Sequence, residues 1–170
     1  MAKIAILMTD LFKDSEFLQS IFAFRSAGHE INHIGLTSGE KIKSMNSQTS
    51  ILTDMGVKEA YDEKHDALFI PGGYSQDSMK ESEDALLLVR KFMKMEKPVF
   101  VINHGIELLI SACMLAGRRV SAQKALSQNI ANAGGYLADK QVIIDGNLVT
   151  CNGSQNIASF IEACLDKLSF

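Results

Sequence analysis

A buried strand that turns abruptly into a helix is the feature with the clearest chemical meaning. The sequence reads VFVINHG over residues 99–105, and apolar residues then recur at helical spacing. Enzymes use such an elbow to hold a nucleophile above a sheet. The apex residue here is Asn103, which accepts the positive φ that an elbow demands but whose carboxamide is a very poor nucleophile. The sequence therefore predicts a catalytic framework that lacks its reactive atom.

The elbow continues with His104 and Gly105. An imidazole at this place could act as an acid, a base or an orienting group near neutral pH. The alternative is a partly buried imidazole that only makes a hydrogen bond to the backbone. The sequence leaves both interpretations open.

A second candidate element is Pro-Gly-Gly at residues 71–73, which also follows an apolar strand. Gly72 and Gly73 can adopt backbone angles closed to other residues and offer unhindered N–H groups, so they could form an oxyanion cradle. The alternative is an ordinary tight turn. The segment lacks the Gly-Lys-Ser/Thr ending of a phosphate-binding loop, so nucleotide binding is not indicated.

Three more candidates come from the remaining strand ends. Lys13 and Glu16 stand where the first strand passes into the first helix, and Glu16 could project back into a cleft, whereas Asp14 suits a plain helix cap. Cys151 ends a late strand, where a nearby helix N-terminus could lower its pKa, although ordinary packing also fits. Ligands bind at the carboxyl ends of parallel strands, so we expect all these residues to converge on one cleft.

Apolar strands alternate with amphipathic helices along the whole chain. This order predicts one α/β domain over residues 1–170, a three-layer α/β/α sandwich with a mainly parallel sheet. Asp-Gly-Asn at 145–147 predicts a final antiparallel hairpin, and residues 37–64 predict a short hairpin or an irregular crossover. The predicted strands are 3–8, 30–36, 66–70, 99–102, 119–120, 141–144 and 148–151, and the predicted helices are 15–27, 83–94, the elbow helix to about 115, 125–133 and 154–168.

Composition limits the classes of partner. The chain has 170 residues, 46% of them hydrophobic, and a formal net charge of −3 with scattered lysines and arginines, which does not favour nucleic acid. No apolar run is long enough to span a membrane, and the N-terminus does not read as a signal peptide, so we expect a cytoplasmic protein. The three cysteines are not spaced for metal binding. We expect neither a metal nor another cofactor.

Several of these segments together resemble the ThiJ/PfpI family of the class I glutamine amidotransferase-like superfamily, with its flavodoxin-like fold, and in particular its intracellular-protease branch. The likeness rests on DSE at 14–16, AGHE at 27–30, DALFIPGG at 66–73, NHG at 103–105, NAG at 132–134 and DGN at 145–147.

The resemblance implies a changed active site. The family's elbow is Cys-His-Gly-Pro, so Asn103 occupies the cysteine position and Ile106 the proline position. The acidic residue that pairs with the cysteine falls on Lys13 in this alignment, and its ammonium could donate to the carbonyl oxygen of Asn103. An acid that some members contribute across a subunit interface matches Asp77.

Three functions remain open. The first is a protein without family-type thiol chemistry that retains a cleft for a small carbonyl, amide, anion or peptide. The second is an enzyme that uses His104 as base, Asp77 as its partner and water as nucleophile, or that uses Cys151. The third is a regulatory or assembly subunit. The resemblance also implies a homo-oligomer, with a dimer expected.

Overall fold

A computed structural model describes residues 1–169 of the chain. Its strands are β1 (Lys3–Leu7), β2 (Glu30–Gly35), β3 (Lys41–Lys43), β4 (Ser50–Leu52), β5 (Met55–Gly56), β6 (Ala67–Ile70), β7 (Val99–Ile102), β8 (Arg119–Val120), β9 (Tyr136–Leu137), β10 (Val142–Asp145) and β11 (Leu148–Cys151). Its helices are α1 (Asp14–Ser26), α2 (Val57–Asp62), α3 (Gln76–Met79), α4 (Glu83–Lys94), α5 (Ile106–Ser111), α6 (Ser127–Asn132) and α7 (Ile157–Leu168). Short 3₁₀ turns at Asn103–Gly105, Lys124–Leu126 and Ser154–Asn156 precede α5, α6 and α7.

Seven of the strands form the central sheet, in the order β10-β11-β7-β6-β1-β2-β5. All neighbours are parallel except β10 and β11, which are antiparallel and joined by the predicted turn at 145–147. The predicted α/β fold with a mainly parallel sheet is confirmed.

The sheet is buried on both faces because alternate residues of each strand point to opposite sides. In β1, Ala5 and Leu7 join the core beneath α2, α4 and α5, whereas Ile4 and Ile6 join the core beneath α1 and α7. The second core is rich in aromatic rings, with Phe69 lying 5.8 Å from Phe24 between ring centroids. Helices therefore cover both faces of the sheet.

The structure differs from the predicted elements mainly in two regions. Residues 37–64 hold the predicted hairpin as β3 and β4, but also the edge strand β5 and the helix α2. The elbow helix α5 ends at Ser111 rather than near 115, because Cys113 adopts a left-handed φ of 57° that an α-helix cannot accommodate. None of the helices in residues 1–169 has both the length and the apolar character needed to span a membrane.

The topology determines where the candidate residues meet. The strands β11, β7, β6 and β1 are neighbours in the middle of the sheet, and their carboxyl ends lie at the same edge. The segments that follow them begin at Asn152, Asn103, Pro71 and Met8.

Candidate functional site

The elbow at the end of β7 has the geometry that the sequence predicts. Asn103 has a φ of 44°, in the left-handed region that Asn tolerates better than most residues, and only 7% of its surface is exposed. Its side-chain oxygen Oδ1 accepts a hydrogen bond of 3.2 Å from the backbone N–H of Gln123. The apex thus presents a carboxamide that is held in place from the segment after β8.

The expected contact between Lys13 and Asn103 needs correction. The Lys13 ammonium lies 3.6 Å from Oε1 of Glu16, and the Lys13 side chain is 45% exposed. An ammonium gains more from a carboxylate than from a neutral carbonyl oxygen, and it stays partly hydrated there. Within residues 1–169, the described hydrogen bond of the Asn103 oxygen is the one from Gln123.

A carboxylate close to the elbow belongs to Glu16, in the first turn of α1. Glu16 is buried, with 1% of its surface exposed. A side chain at Gly72 would collide with its Oε2, and the same point lies 3.3 Å from the carbonyl oxygen of Ile102, the residue before Asn103. The acid that the resemblance placed at position 13 is therefore supplied three residues later, on the helix face that turns toward the sheet.

The Pro-Gly-Gly turn is held by the segment that follows β1. Gly73 has a φ of 88°, and a side chain there would meet the carbonyl oxygen of Leu11. The backbone N–H of Tyr74 donates to that same oxygen at 2.9 Å, and the N–H of Lys13 donates to the carbonyl of Gly72 at 3.4 Å. Glycine is required here both for its positive φ and for the close approach of the two chains.

Three buried polar residues that the sequence analysis missed fix this turn from behind. The hydroxyl of Thr9 donates to the carbonyl oxygen of Ser75 at 2.6 Å, and the amide of Gln76 donates to the carbonyl oxygen of Pro71 at 3.1 Å. All three are 5% exposed or less. Their position just after apolar strands was the available signal, but no residue pattern distinguishes them from ordinary loop residues.

His104 and Asp77 do not form a pair within the chain. The Asp77 carboxylate lies 3.5 Å from the Lys80 ammonium, which also lies 3.7 Å from Glu107. The imidazole of His104 faces the ring of Tyr74, with 6.1 Å between ring centroids. No hydrogen bond within residues 1–169 joins His104 to Asp77.

Cys151 lacks the exposure and the lowered pKa of an activated thiol. It is fully buried at the end of β11, and its thiol donates to the carbonyl oxygen of Gly153 at 3.2 Å. Burial raises the pKa of this thiol, and the negative charge of Glu16 acts in the same direction. Backbone hydrogen bonds donated to the sulfur by Gly153 and Asn152 lower the pKa but do not reverse the shift. Of the two possibilities raised for Cys151, the structure fits ordinary packing and not a lowered pKa.

Gly105 allows the elbow to pack closely against the sheet. A side chain there would lie 2.9 Å from the carbonyl oxygen of Ile70 and 3.0 Å from Cγ1 of Val101. The absence of a side chain lets the elbow sit directly on β6 and β7, and the binding role of Gly105 stays a prediction. Within the described residues, no group of three or more His, Cys, Asp and Glu side chains is arranged to hold a metal ion.

The sequence is similar to known proteins over nearly its whole length. Residues 2–167 match the model of the DJ-1/PfpI family. The chain is 37% identical over 167 residues to protein/nucleic acid deglycase 2 of Escherichia coli (strain K12), which covers 98% of this chain and 97% of that protein. It is 34% identical over 167 residues to general stress protein 18 of Bacillus subtilis (strain 168), again covering 98% and 97% of the two chains.

Solved structures with a similar fold also match the chain. A two-domain protein of Anabaena variabilis with DJ-1/ThiJ/PfpI-like and ferritin-like domains matches with a TM-score of 0.96 and 30% identity. That match covers 100% of this chain and 49% of the other, so this chain spans about half of that protein. Drosophila melanogaster DJ-1beta matches with a TM-score of 0.88 and 23% identity, over 97% and 89% of the two chains, and so bears on the fold alone. The chain belongs to the DJ-1/PfpI family.

Proposed function

We propose that this protein binds a small carbonyl, amide or anionic ligand at the elbow and does not carry out cysteine chemistry there. The observation that carries the proposal is Asn103 at the apex, with its φ of 44° and its carboxamide held by Gln123. A carboxamide has no proton to lose near neutral pH and no lone pair that attacks a carbonyl carbon usefully.

None of the three cysteines suits the role of the missing nucleophile. Cys151 is buried and its pKa is raised, so the thiolate that a nucleophile requires is disfavoured. Cys164, on α7, is fully buried, and burial raises its pKa well above the usual 9.0. Cys113 is exposed, but it follows α5 rather than a strand end.

The scaffold around the apex is suited to hold an oxygen atom. In this proposal the N–H groups of Gly73 and His104 donate to the ligand oxygen, in the manner of an oxyanion hole. The positive φ of Gly73 supports this role, as does the position of His104 in the first turn of a helical segment, where N–H groups have no partner within the helix. The relative from Escherichia coli is named as a deglycase of protein and nucleic acid. We propose the same general class of ligand for this chain, without the turnover.

Methylglyoxal consumption and thiol alkylation test this proposal together. We expect the purified protein to consume methylglyoxal no faster than buffer does, and iodoacetamide to leave residues 99–105 unmodified. The variant Asn103→Cys places a thiol close to the Glu16 carboxylate, and we expect alkylation at position 103. Turnover by the native protein that persists in Asn103→Ala would overturn the proposal, and Cys151→Ser would then test the remaining nucleophile.

The same assays would also detect an enzyme that uses His104 as base and water as nucleophile. It predicts turnover with one ionisation near neutral pH, lost in His104→Gln. The pairing of Asp77 with Lys80 argues against this arrangement within a single chain.

An assembly role has one observation in its favour. Leu18 and Phe22 project from α1 with 49% and 75% of their surface exposed, although both are large and apolar. We propose that this face of α1 joins two copies of the chain in a homodimer. Light scattering after size-exclusion chromatography should give the mass of a dimer, and Phe22→Asp should give that of a monomer. A native monomer at micromolar concentration would contradict the dimer and leave the ligand proposal intact.

A further inference from the structure

A cleft next to the elbow is lined in part by Gln123, whose backbone N–H donates to Asn103. Its volume is about 460 Å³. The sequence analysis did not single out the residues that line it. Its lining includes Gln123 and Lys124 after β8, Asp139, Lys140 and Gln141 before β10, and Asn152 after β11.

Hydrogen bonds fix the walls of this cleft. The hydroxyl of Ser121 donates to the carbonyl oxygens of Lys140 and Gln141 at 2.7 and 2.8 Å, which ties one wall to the other. The backbone N–H of Asn152 donates to the carbonyl oxygen of Gln141 at 3.1 Å. The side-chain oxygen of Asn152 in turn accepts from Asn156 at 2.9 Å. The cleft is thus formed by the fold itself rather than by loosely placed side chains.

The cleft and the elbow share the residue Gln123. The N–H of Gln123 holds the Asn103 carboxamide at 3.2 Å, while Gln123 itself lines the cleft. Gln123 therefore borders both the elbow and the cleft.

The cleft differs in charge from the surroundings of the elbow. Its lining carries two ammonium groups, Lys124 and Lys140, and one carboxylate, Asp139. Neither lysine forms a salt bridge within the described part of the chain, whereas Lys13 and Lys80 beside the elbow are paired with carboxylates. The protein as a whole carries a net charge of −3, so this excess of positive charge is local.

We infer that this cleft binds the carboxylate of a ligand whose amide or carbonyl group occupies the elbow. The inference rests on the function proposed above and adds to it the chemical class of the ligand, an amido or oxo carboxylate. The two ammonium groups supply the charge, and the side-chain amides of Gln123, Gln141 and Asn152 supply N–H donors for carboxylate oxygens.

Matched ligands that differ in one end test this inference. Succinamate, glutaramate and adipamate carry an amide and a carboxylate at increasing separation, and the corresponding diamides carry no charge. Binding is measured by isothermal titration calorimetry at low and high salt. We expect one of the three amido acids to bind about tenfold more tightly than its diamide, and the difference to shrink as salt is added.

Substitutions of single lysines show which residues cause the difference in affinity. Lys124→Gln and Lys140→Gln should bring the amido acid to the affinity of the diamide. Lys94→Gln, the same charge change at an exposed position on α4, should leave the difference unchanged. Each substitution is at an exposed lysine, so folding should be preserved.

The possible failures are distinguishable. Equal affinity for amido acids and diamides would overturn the carboxylate site while leaving the proposed ligand class at the elbow. Binding of neither series would overturn both. Equal binding of succinate and succinamate, unaffected by Asn103→Ala, would show an anion site independent of the elbow and overturn the inferred two-ended ligand.

Discussion

The side-chain oxygen of Asn103 and the backbone N–H of Gln123 are joined by a hydrogen bond of 3.2 Å. It links the apex of the elbow after β7 to the segment after β8. The bond accounts for the orientation of a polar side chain that is almost fully buried. It also makes Gln123 the shared boundary of the elbow and the neighbouring cleft.

This hydrogen bond can be removed without changing the apex. Gln123 has a φ of −66°, which proline also adopts, so Gln123→Pro deletes the N–H while preserving that angle. We expect a loss of about 1 kcal/mol in the free energy of unfolding, measured by urea denaturation, because a buried acceptor loses its donor. Gln123→Ala keeps the N–H and is the control. Equal stability of the two variants would show that the bond contributes nothing.

The contact between Gly72 and Glu16 should limit substitution in the turn. In Gly72→Ala the new methyl group meets Oε2 of Glu16 and lies 3.3 Å from the carbonyl oxygen of Ile102. We expect a loss of about 1–3 kcal/mol in the free energy of unfolding, as for other overpacked sites.

A double-mutant cycle identifies the cause of that loss. Gly72→Ala should cost less in a Glu16→Ala background, because the carboxylate is then absent. If the cost is the same in both backgrounds, the strain arises from the backbone around Ile102 instead.

Thiol reactivity should follow burial. Cys113 is exposed, whereas Cys151 and Cys164 are fully buried with raised pKa values. We expect Ellman's reagent to modify one thiol rapidly in the folded protein and the other two only after unfolding. Cys113→Ser should abolish the rapid phase. A rapid phase that survives this substitution would reveal an accessible thiol at Cys151 or Cys164.

Stability should fall as the solution becomes mildly acidic, partly because of His65. Burial lowers the pKa of His65 from its usual 6.5, and the positive charges of Lys3 and Lys97 act in the same direction. Below about pH 6.5 the unfolded chain therefore takes up a proton more readily than the folded chain, and the free energy of unfolding decreases.

The variant His65→Gln isolates this contribution. Glutamine removes the titrating group but retains a polar side chain that can reach the oxygen of Asn32, which lies 3.0 Å from Nε2 of His65. We expect a smaller decrease in the free energy of unfolding between about pH 7 and about pH 5. A decrease equal to that of the native protein would mean that other groups, such as the buried His33, account for it.

The sequence predicts the fold through features that act over short distances. Alternating apolar strands and amphipathic helices require a buried parallel sheet, and Asp-Gly-Asn at 145–147 requires a tight turn between antiparallel strands. The same reasoning misses β5 and α2, which are too short to show a clear period of their own.

Some features of the candidate site can likewise be predicted from the sequence, and others cannot. The residue type at the elbow is determined by the sequence alone, since Asn at the apex tolerates a left-handed φ and offers no thiol at that position wherever its neighbours lie. Only the tertiary structure decides that Glu16 rather than Lys13 reaches the elbow, that Gln123 holds Asn103, and that Cys151 is buried with a raised pKa. These properties depend on distances and solvent exposure among segments far apart in the chain, which no local pattern of residues encodes.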